Sequence, residues 1–332
     1  MAEASLVHFL GNKNDHRPFL FEPSHSKSEF DHSLLRSLIT RRANDYDYLN
    51  VISHGSYGIV YRARDKKTGE IVAMKQELNG LSRSTLREIE ILMSLPRHPA
   101  IVEFKGVVVD DWNRVFIVIE HVEDDLKGIM KGRKHPLSPN EVKCMTKQLL
   151  EGVKFLHENG VMHRDLKPSN ILINRKGHLK ICDFGLSRQF ESEWGSYSPR
   201  VGTLWYRAPE ILAEVETYST AIDMWSVGCI MAELLLKEVL FKERCDVDQR
   251  TKIYRILGRA KPDENLFMKF LEAAVISGVP LLKGIGFDLL KKLLEYDPDK
   301  RITAEAALEH DWFKEFDPYF FWFSARQHEL KH

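Results

Sequence analysis

His163-Arg164-Asp165-Leu166-Lys167-Pro168-Ser169-Asn170, followed by Asp183-Phe184-Gly185, decides how this chain is read. A carboxylate at Asp165, an ammonium at Lys167 and two hard oxygen donors at Asn170 and Asp183 stand in one ordered run. Phosphoryl transfer from a magnesium nucleotide to a hydroxyl needs such a set. The carboxylate orients or accepts the hydroxyl proton, and the lysine neutralises charge on the moving group. Mg²⁺ asks for one or two protein oxygens and takes its other ligands from phosphates and water. Each residue alone has a plainer explanation, as a surface aspartate or a capping asparagine. Two motifs in the right order, with partners on both sides, make an accident implausible.

Upstream, Ile52-Ser53-His54-Gly55-Ser56-Tyr57-Gly58-Ile59-Val60 reads as a glycine-rich turn between two strands. Glycines there let backbone amides approach phosphates closely. Val72-Ala73-Met74-Lys75 follows on the next strand, and the helix text Ser84-Thr85-Leu86-Arg87-Glu88-Ile89 comes after it. Downstream lie Thr203-Leu204-Trp205-Tyr206-Arg207-Ala208-Pro209-Glu210, Asp223-Met224-Trp225 and Asp297-Pro298-Asp299-Lys300-Arg301. The whole series resembles the eukaryotic protein kinases, over roughly residues 46–315.

That resemblance implies an α+β, bilobal fold: a small β-rich N-lobe (about 46–120), a hinge (about 120–125) and a larger, mostly helical C-lobe (about 126–315). It makes Asp165 the catalytic base, with Lys167 as its helper. Lys75 grips the ATP phosphates and is held there by Glu88. Asn170 and Asp183 become the Mg²⁺ ligands. Gly55, Ser56 and Gly58 fall in the phosphate loop, and Ile119 at the back of the adenine pocket. Ile52, Val60, Ala73 and Leu172 sandwich the adenine, backbone groups of Glu120 and Val122 bond it, and Asp125 approaches the ribose. Glu210 should pair with Arg301, and Asp223 should brace the backbone of the catalytic loop.

Finer text resembles the cyclin-dependent kinases, nearest the transcription- and splicing-associated branch, and suggests a plant source. The signs are Arg207 in Trp205–Glu210, the Ser84–Glu88 helix text, and Leu186-Ser187-Arg188 after Asp183-Phe184-Gly185. In that family a cyclin packs on the helix that carries Glu88 and swings it inward. The resemblance also implies a proline-directed serine/threonine kinase, an activating kinase acting on Ser198, and a nuclear or cytoplasmic setting with the nucleus favoured. Arg87, Arg164 and Arg188 would receive the Ser198 phosphate. Three departures stand out: Ser53 in place of a glycine, Gly202 where the family usually carries valine, and a short stretch between Gly258 and Gly286. Two functions therefore stay open, an active cyclin-regulated kinase and a catalytically weak kinase-like scaffold that binds nucleotide or cyclin.

Composition agrees with an ordinary globular chain. Apolar residues make up 43% of the 332, and 48 Lys+Arg balance 48 Asp+Glu. Zero net charge argues against nucleic acid or an anionic membrane as the main partner. The four cysteines, Cys144, Cys182, Cys229 and Cys245, have neither metal-ligand nor disulfide-framework spacing and read as free thiols. No apolar run reaches the length of a membrane span, and the N-terminus lacks a signal-peptide pattern. Residues 1–45 read as a flexible extension with a short helix near Ser33–Arg42, and 316–332 as a loosely packed tail. Strands are expected at Tyr48–Ile52, Gly58–Arg64, Glu70–Gln76, Val107–Val109 and Val115–Ile119. Helices are expected at Ser84–Leu95, Glu141–His157, Ile222–Leu236 and Gly286–Tyr296.

Overall fold

Between Tyr46 and Glu120 short β-branched and aromatic runs alternate with turn residues, and in the computed structural model they pair into one sheet. The structure describes residues 39, 41–54, 58–77, 82–134, 137–190, 195–197, 201–258 and 284–314. The strands are β1 (Arg41–Arg42), β2 (Tyr46–His54), β3 (Gly58–Asp65), β4 (Ile71–Glu77), β5 (Phe104–Val109) and β6 (Val115–Glu120), in the order β1-β5-β6-β4-β3-β2. The turn at Lys67–Glu70 closes β3 onto β4, with Gly69 at φ 74° and its N–H bonded to the Asp65 carbonyl at 2.8 Å. That left-handed backbone is why glycine stands there.

The ordered sheet begins before Tyr46. Arg41–Arg42 runs parallel to Val108–Val109, and Arg41 donates to the Asp65 carboxylate at 2.9 Å. The short helix expected near Ser33–Arg42 lies mostly outside the described residues, and its last two residues are a strand instead. A parallel edge strand joined by an ion pair leaves no periodicity to read in two residues.

Helix α1 (Arg83–Ser94) follows β4, and its N-cap Ser82 accepts the Thr85 N–H at 3.2 Å. Its buried residues are Thr85, Glu88, Ile89, Ile91 and Leu92. Met93 is exposed, and Glu88 takes the interior position that its expected tie to Lys75 requires. Its charge is matched inside by Lys75. Ile91 and Leu92 pack in the same cluster as Met162, Leu166 and Phe184, which ties α1 to the core of the C-lobe.

The C-lobe is built around α5 (Ala221–Leu236), in which every residue from Ala221 to Leu235 is buried. Before it come α2 (Leu126–Gly132), α3 (Pro139–Glu158) and α4 (Pro209–Leu212); after it come α6 (Asp246–Leu257), α7 (Ile285–Leu293) and α8 (Ala304–Leu308). A capping box starts α3: the Ser138 hydroxyl accepts the Glu141 N–H, and the Glu141 carboxylate accepts the Ser138 N–H at 2.7 Å. Helix α7 stops at Leu293, short of the expected Tyr296, before the Asp297-Pro298 turn. An antiparallel hairpin of Ile171–Ile173 and Leu179–Ile181 does the work that matters for the site. It brings Asn170, just before one strand, beside Cys182 and Asp183, just after the other; the Cys182 N–H donates to the Asn170 carbonyl at 3.0 Å. The Gly258–Gly286 departure lies largely outside the described residues, as does the tail from 315 onward.

Candidate active site

Lys75 sits on β4 opposite Val60. Its Nζ donates to Glu88 Oε2 at 2.6 Å and to Asp183 Oδ1 at 3.3 Å, and lies 3.7 Å from Glu77. Burial opposes the Lys75 charge, yet Glu88 and Asp183 outweigh it and hold the ammonium above its ordinary value. One ammonium cannot fully match several carboxylates. Burial accordingly pushes the Glu88 carboxyl up to about 7 against the pull of Lys75. Asp183 feels the same burial, but Lys75 and then His163 bring it below the usual carboxylate range. Lys75, Glu88, Asp165 and Asp183 line one small cleft.

Of the residues expected around adenine, Ala73 and Val122 are buried, Val60 and Leu172 half-buried, and Ile52 is 44% exposed on β2. Ala73 pairs with Ile119 across the sheet. The N–H of Glu120 is taken by the Glu103 carbonyl at 2.9 Å, and its carboxylate by Lys180 at 2.7 Å. Asp125 caps α2, accepting the Gly128 N–H at 2.8 Å. Gly58 has no room for a side chain, since a Cβ would lie 2.0 Å from the Gln76 carbonyl oxygen. Gly55 and Ser56 lie outside the described residues.

The catalytic loop is strained and braced. Arg164 and Asp183 both adopt φ 67°, a left-handed backbone that non-glycine residues rarely take. The Asp223 carboxylate holds the first of these turns, accepting the N–H groups of His163 and Arg164, each at 2.8 Å. His157 Nε2 meets the same carboxylate at 3.0 Å. Burial pushes Asp223 up, but the bond to His157 leads the forces that bring it below its ordinary value. Phe184 is fully buried against the His163 ring, centroids 5.1 Å apart. The Asp165 carboxylate accepts from Lys167 Nζ at 2.6 Å, from the Thr203 N–H at 2.8 Å and from its hydroxyl at 2.7 Å. Asn170 Nδ2 donates to the Asp165 carbonyl at 2.9 Å, which leaves its amide oxygen as the atom to offer a cation.

The segment from Asp183 to Glu210 is anchored at its end. Glu210 and Arg301 form a two-pronged pair at 2.7 and 3.0 Å, with the Arg301 side chain wholly buried. Gly202 has φ 77°, and a Cβ there would lie 2.5 Å from the Arg164 carbonyl oxygen. A valine at this position would not fit the observed backbone. The Gly202 carbonyl accepts from Arg207 Nε at 2.9 Å.

The protein kinase domain family matches residues 46–313. Cyclin-dependent kinase G-2 of Oryza sativa subsp. indica is 51% identical, over 83% of this chain and 42% of its own length. Cyclin-dependent kinase G1 of Arabidopsis thaliana is 48% identical, over 83% and 50%. Cyclin-dependent kinase 11B of Rattus norvegicus is 44% identical, over 83% and 67%. The chain belongs to the cyclin-dependent kinase family. It spans half or less of the two plant relatives.

Members of this family use ATP and Mg²⁺, and the residues present fit both. Among the described residues no group of three or more His, Cys, Asp or Glu is placed to hold a metal by itself. Mg²⁺ needs none, because phosphates and water complete its shell. Asn170 and Asp183 can hold it, beside a cleft where carboxylates outnumber the one ammonium. Sequence reasoning assigned no role to three residues of this cyclin-dependent kinase site. Thr203 was read only as the start of Thr203–Glu210, although it gives Asp165 two hydrogen bonds. Tyr218, whose hydroxyl accepts from Arg164 Nη1 at 2.7 Å, carries no motif. Glu77 looks like a surface carboxylate at a strand end, and is 7% exposed.

Proposed function

We propose that this protein transfers the ATP γ-phosphoryl group to serine and threonine hydroxyls of proteins, with Asp165 as base and Lys75, Glu88 and Lys167 as its catalytic partners. One observation carries the reading: Lys75 joins Glu88 and Asp183 at 2.6 and 3.3 Å in the cleft that Asp165 also lines. Asn170 and Asp183 hold Mg²⁺, which neutralises charge on the phosphates when bound. Thr203 and Lys167 fix the Asp165 carboxylate so that it faces the incoming hydroxyl without rotating. Glu120 and Val122 offer backbone groups to adenine between Ile52, Val60, Ala73 and Leu172, with Asp125 toward the ribose. Nothing in the described part of the site supports the scaffold alternative.

The preferred substrate has proline after the acceptor residue. The Gly202 carbonyl, next to Thr203, is already bonded by Arg207. A peptide N–H arriving there would have to share that acceptor with Arg207, and proline brings no N–H to satisfy. The protein works with a cyclin on α1, and the nucleus is its favoured location; no helix among the described residues is long and apolar enough to cross a membrane. A second kinase acts on Ser198, which lies outside the described residues. The arginines that would receive its phosphate gather around Gly185–Arg188. Arg87 Nη1 donates to the Gly185 carbonyl at 2.6 Å, and Arg164 Nε to the Leu186 carbonyl at 2.8 Å. Burial pulls Arg188 below its ordinary value, as expected of a cation awaiting a counter-charge. None of the three has a carboxylate partner among the described residues. A peptide array assayed with Mg·ATP, with and without a panel of cyclins, tests the reading. Phosphate on Ser-Pro and Thr-Pro peptides is the expected result; label on tyrosine, or none under any condition, overturns it.

A further inference from the structure

The backbone on the two sides of the hinge belongs to two different sheets. Glu120, the last residue of β6, pairs with Val72 of β4, next to Ala73. Asp125 pairs with Leu172, and Leu172 pairs in turn with Lys180 in the C-lobe hairpin. Ala73 from one sheet and Leu172 from the other are the residues assigned to the faces of adenine, so the gap between these sheets is the slot the base enters. Along this stretch the covalent link between them is His121-Val122-Glu123. One side-chain contact spans the same gap. Glu120 Oε1 lies 2.7 Å from Lys180 Nζ. That oxygen also accepts the Glu103 N–H at 2.7 Å, which fixes the direction of the carboxylate. The two side chains are 20% and 15% exposed, so water screens them less than an open surface pair. The carboxylate of Glu103 turns instead to Arg97 at 2.7 Å and Lys105 at 3.4 Å. Among the described residues, Glu120 is the carboxylate that Lys180 meets.

We infer that the side chains of Glu120 and Lys180 are positioning groups: their ion pair is a strut across the hinge that sets the width of the adenine slot. The inference rests on the kinase reading of that site. It divides the work of Glu120, whose backbone meets the base while its carboxylate holds the slot. The strut is not what joins the lobes. The Lys180 strand is also bonded to the segment before β5: the Ile181 N–H donates to the Ala100 carbonyl at 2.8 Å, and the Val102 N–H to the Ile181 carbonyl at 3.0 Å. Those backbone bonds survive loss of the ammonium, so the domain stays together while the hinge gains freedom. A slot that has the right width only part of the time binds its ligand more weakly in proportion to that fraction. Once the base is bound it fills the gap itself, and Asp165, Lys167 and Asp183 stand where they stood. The strut therefore acts on nucleotide affinity and leaves the chemical step alone.

The test uses the purified full chain, with adenosine and Mg·ATP as calorimetric probes and, for turnover, a Ser-Pro peptide in the presence of a cyclin. Lys180→Met keeps the stem and deletes the charge; Lys180→Arg keeps the charge; Glu120→Gln keeps an acceptor for the Glu103 N–H and weakens the pair. Lys180→Met should bind adenosine and Mg·ATP about 3–10-fold more weakly, both by the same factor, because the slot holds the base alone. The KM for ATP should rise with it, while kcat at saturating ATP stays within about 2-fold of wild type. Lys180→Arg should recover most of the affinity. Glu120→Gln should lose a similar factor, and joined to Lys180→Met it should lose little more than either alone, as two halves of one contact do. Unchanged adenosine affinity in Lys180→Met overturns the strut. A loss confined to Mg·ATP overturns it too, since that would place the effect at Asp183 and the phosphates. Losses that simply add in the double variant count against it equally. Should Lys180→Met not fold, Glu120→Gln with wild-type adenosine affinity overturns the strut as well. A wild type that binds adenosine but never phosphorylates a peptide sinks the kinase reading, and adenosine affinity then still decides the strut.

Discussion

Replacing Glu210 by alanine should destabilise the whole domain through a residue far away in sequence. Arg301 has no exposed side-chain surface, and its two terminal nitrogens meet the two Glu210 oxygens at 2.7 and 3.0 Å. Its remaining bonds go to the carbonyls of Ala221 at 2.7 Å, Glu295 at 2.8 Å and Tyr296 at 3.2 Å, and its plane lies 5.3 Å from the Trp225 ring. Those carbonyls survive the substitution and keep several donors satisfied. The positive charge does not keep its counter-charge, and water cannot replace it in the core. Stranding one member of such a pair costs about 3–5 kcal/mol. At about 2–4 °C per kcal/mol for a domain of this size, the melting temperature should fall by about 6–20 °C in scanning calorimetry. Glu210→Leu combined with Arg301→Met replaces both charges by apolar volume and should regain much of the loss. A fall of less than about 2 °C for Glu210→Ala would refute the reasoning, as would a double variant no better than the single one.

Asp183→Ala should abolish the part of the ATP-induced thermal shift that depends on Mg²⁺; a variant that keeps a full Mg²⁺-dependent shift contradicts its role as ligand. Phosphate at Ser198 should raise turnover, and Ser198→Ala should lower it even with saturating cyclin. Equal turnover of Ser198→Ala and the phosphorylated parent would remove that switch. The Asp223 carboxyl is held below its ordinary value in the folded state. Its contribution is therefore complete above the unfolded pKa, about 3.9, and is lost as pH falls through the lower folded value. The stability gap between wild type and Asp223→Asn should shrink as pH drops below about 4. A gap independent of pH would show that Asp223 does not brace the loop as a carboxylate.

What could be read in the sequence was the part whose chemistry demands particular residue types at particular spacings. Asp165, Lys167, Asn170 and Asp183 were legible because phosphoryl transfer to a hydroxyl asks for a base, a cation and metal ligands, and they stand in one ordered run. The ties of Lys75 to Glu88, Glu210 to Arg301 and Asp223 to the catalytic loop followed from the resemblance, and the structure shows each of them. The rest depended on pairing that only tertiary structure creates. Glu77 is buried because Thr85 meets it, a pairing that no local pattern announces, whereas the inward position of Glu88 was expected from its tie to Lys75. Thr203 looked like the edge of a motif, and its use came to light only when the chain folded back on Asp165. Arg41–Arg42 joined the sheet through Asp65, a partner too far along the chain for any local pattern.

The central claim is that Asp165 serves as the base of a phosphotransferase, and the turnover of Asp165→Asn tests it most directly. Asparagine keeps the shape and can still be held by Thr203, so nucleotide binding should change little. Loss of the group that handles the hydroxyl proton should lower turnover by about 10²–10⁴-fold. Single-turnover phosphorylation of a Ser-Pro peptide, with ATP affinity measured on the same sample, reads both quantities. Reduced turnover with preserved affinity is the predicted result; turnover within a few-fold of wild type would contradict the account.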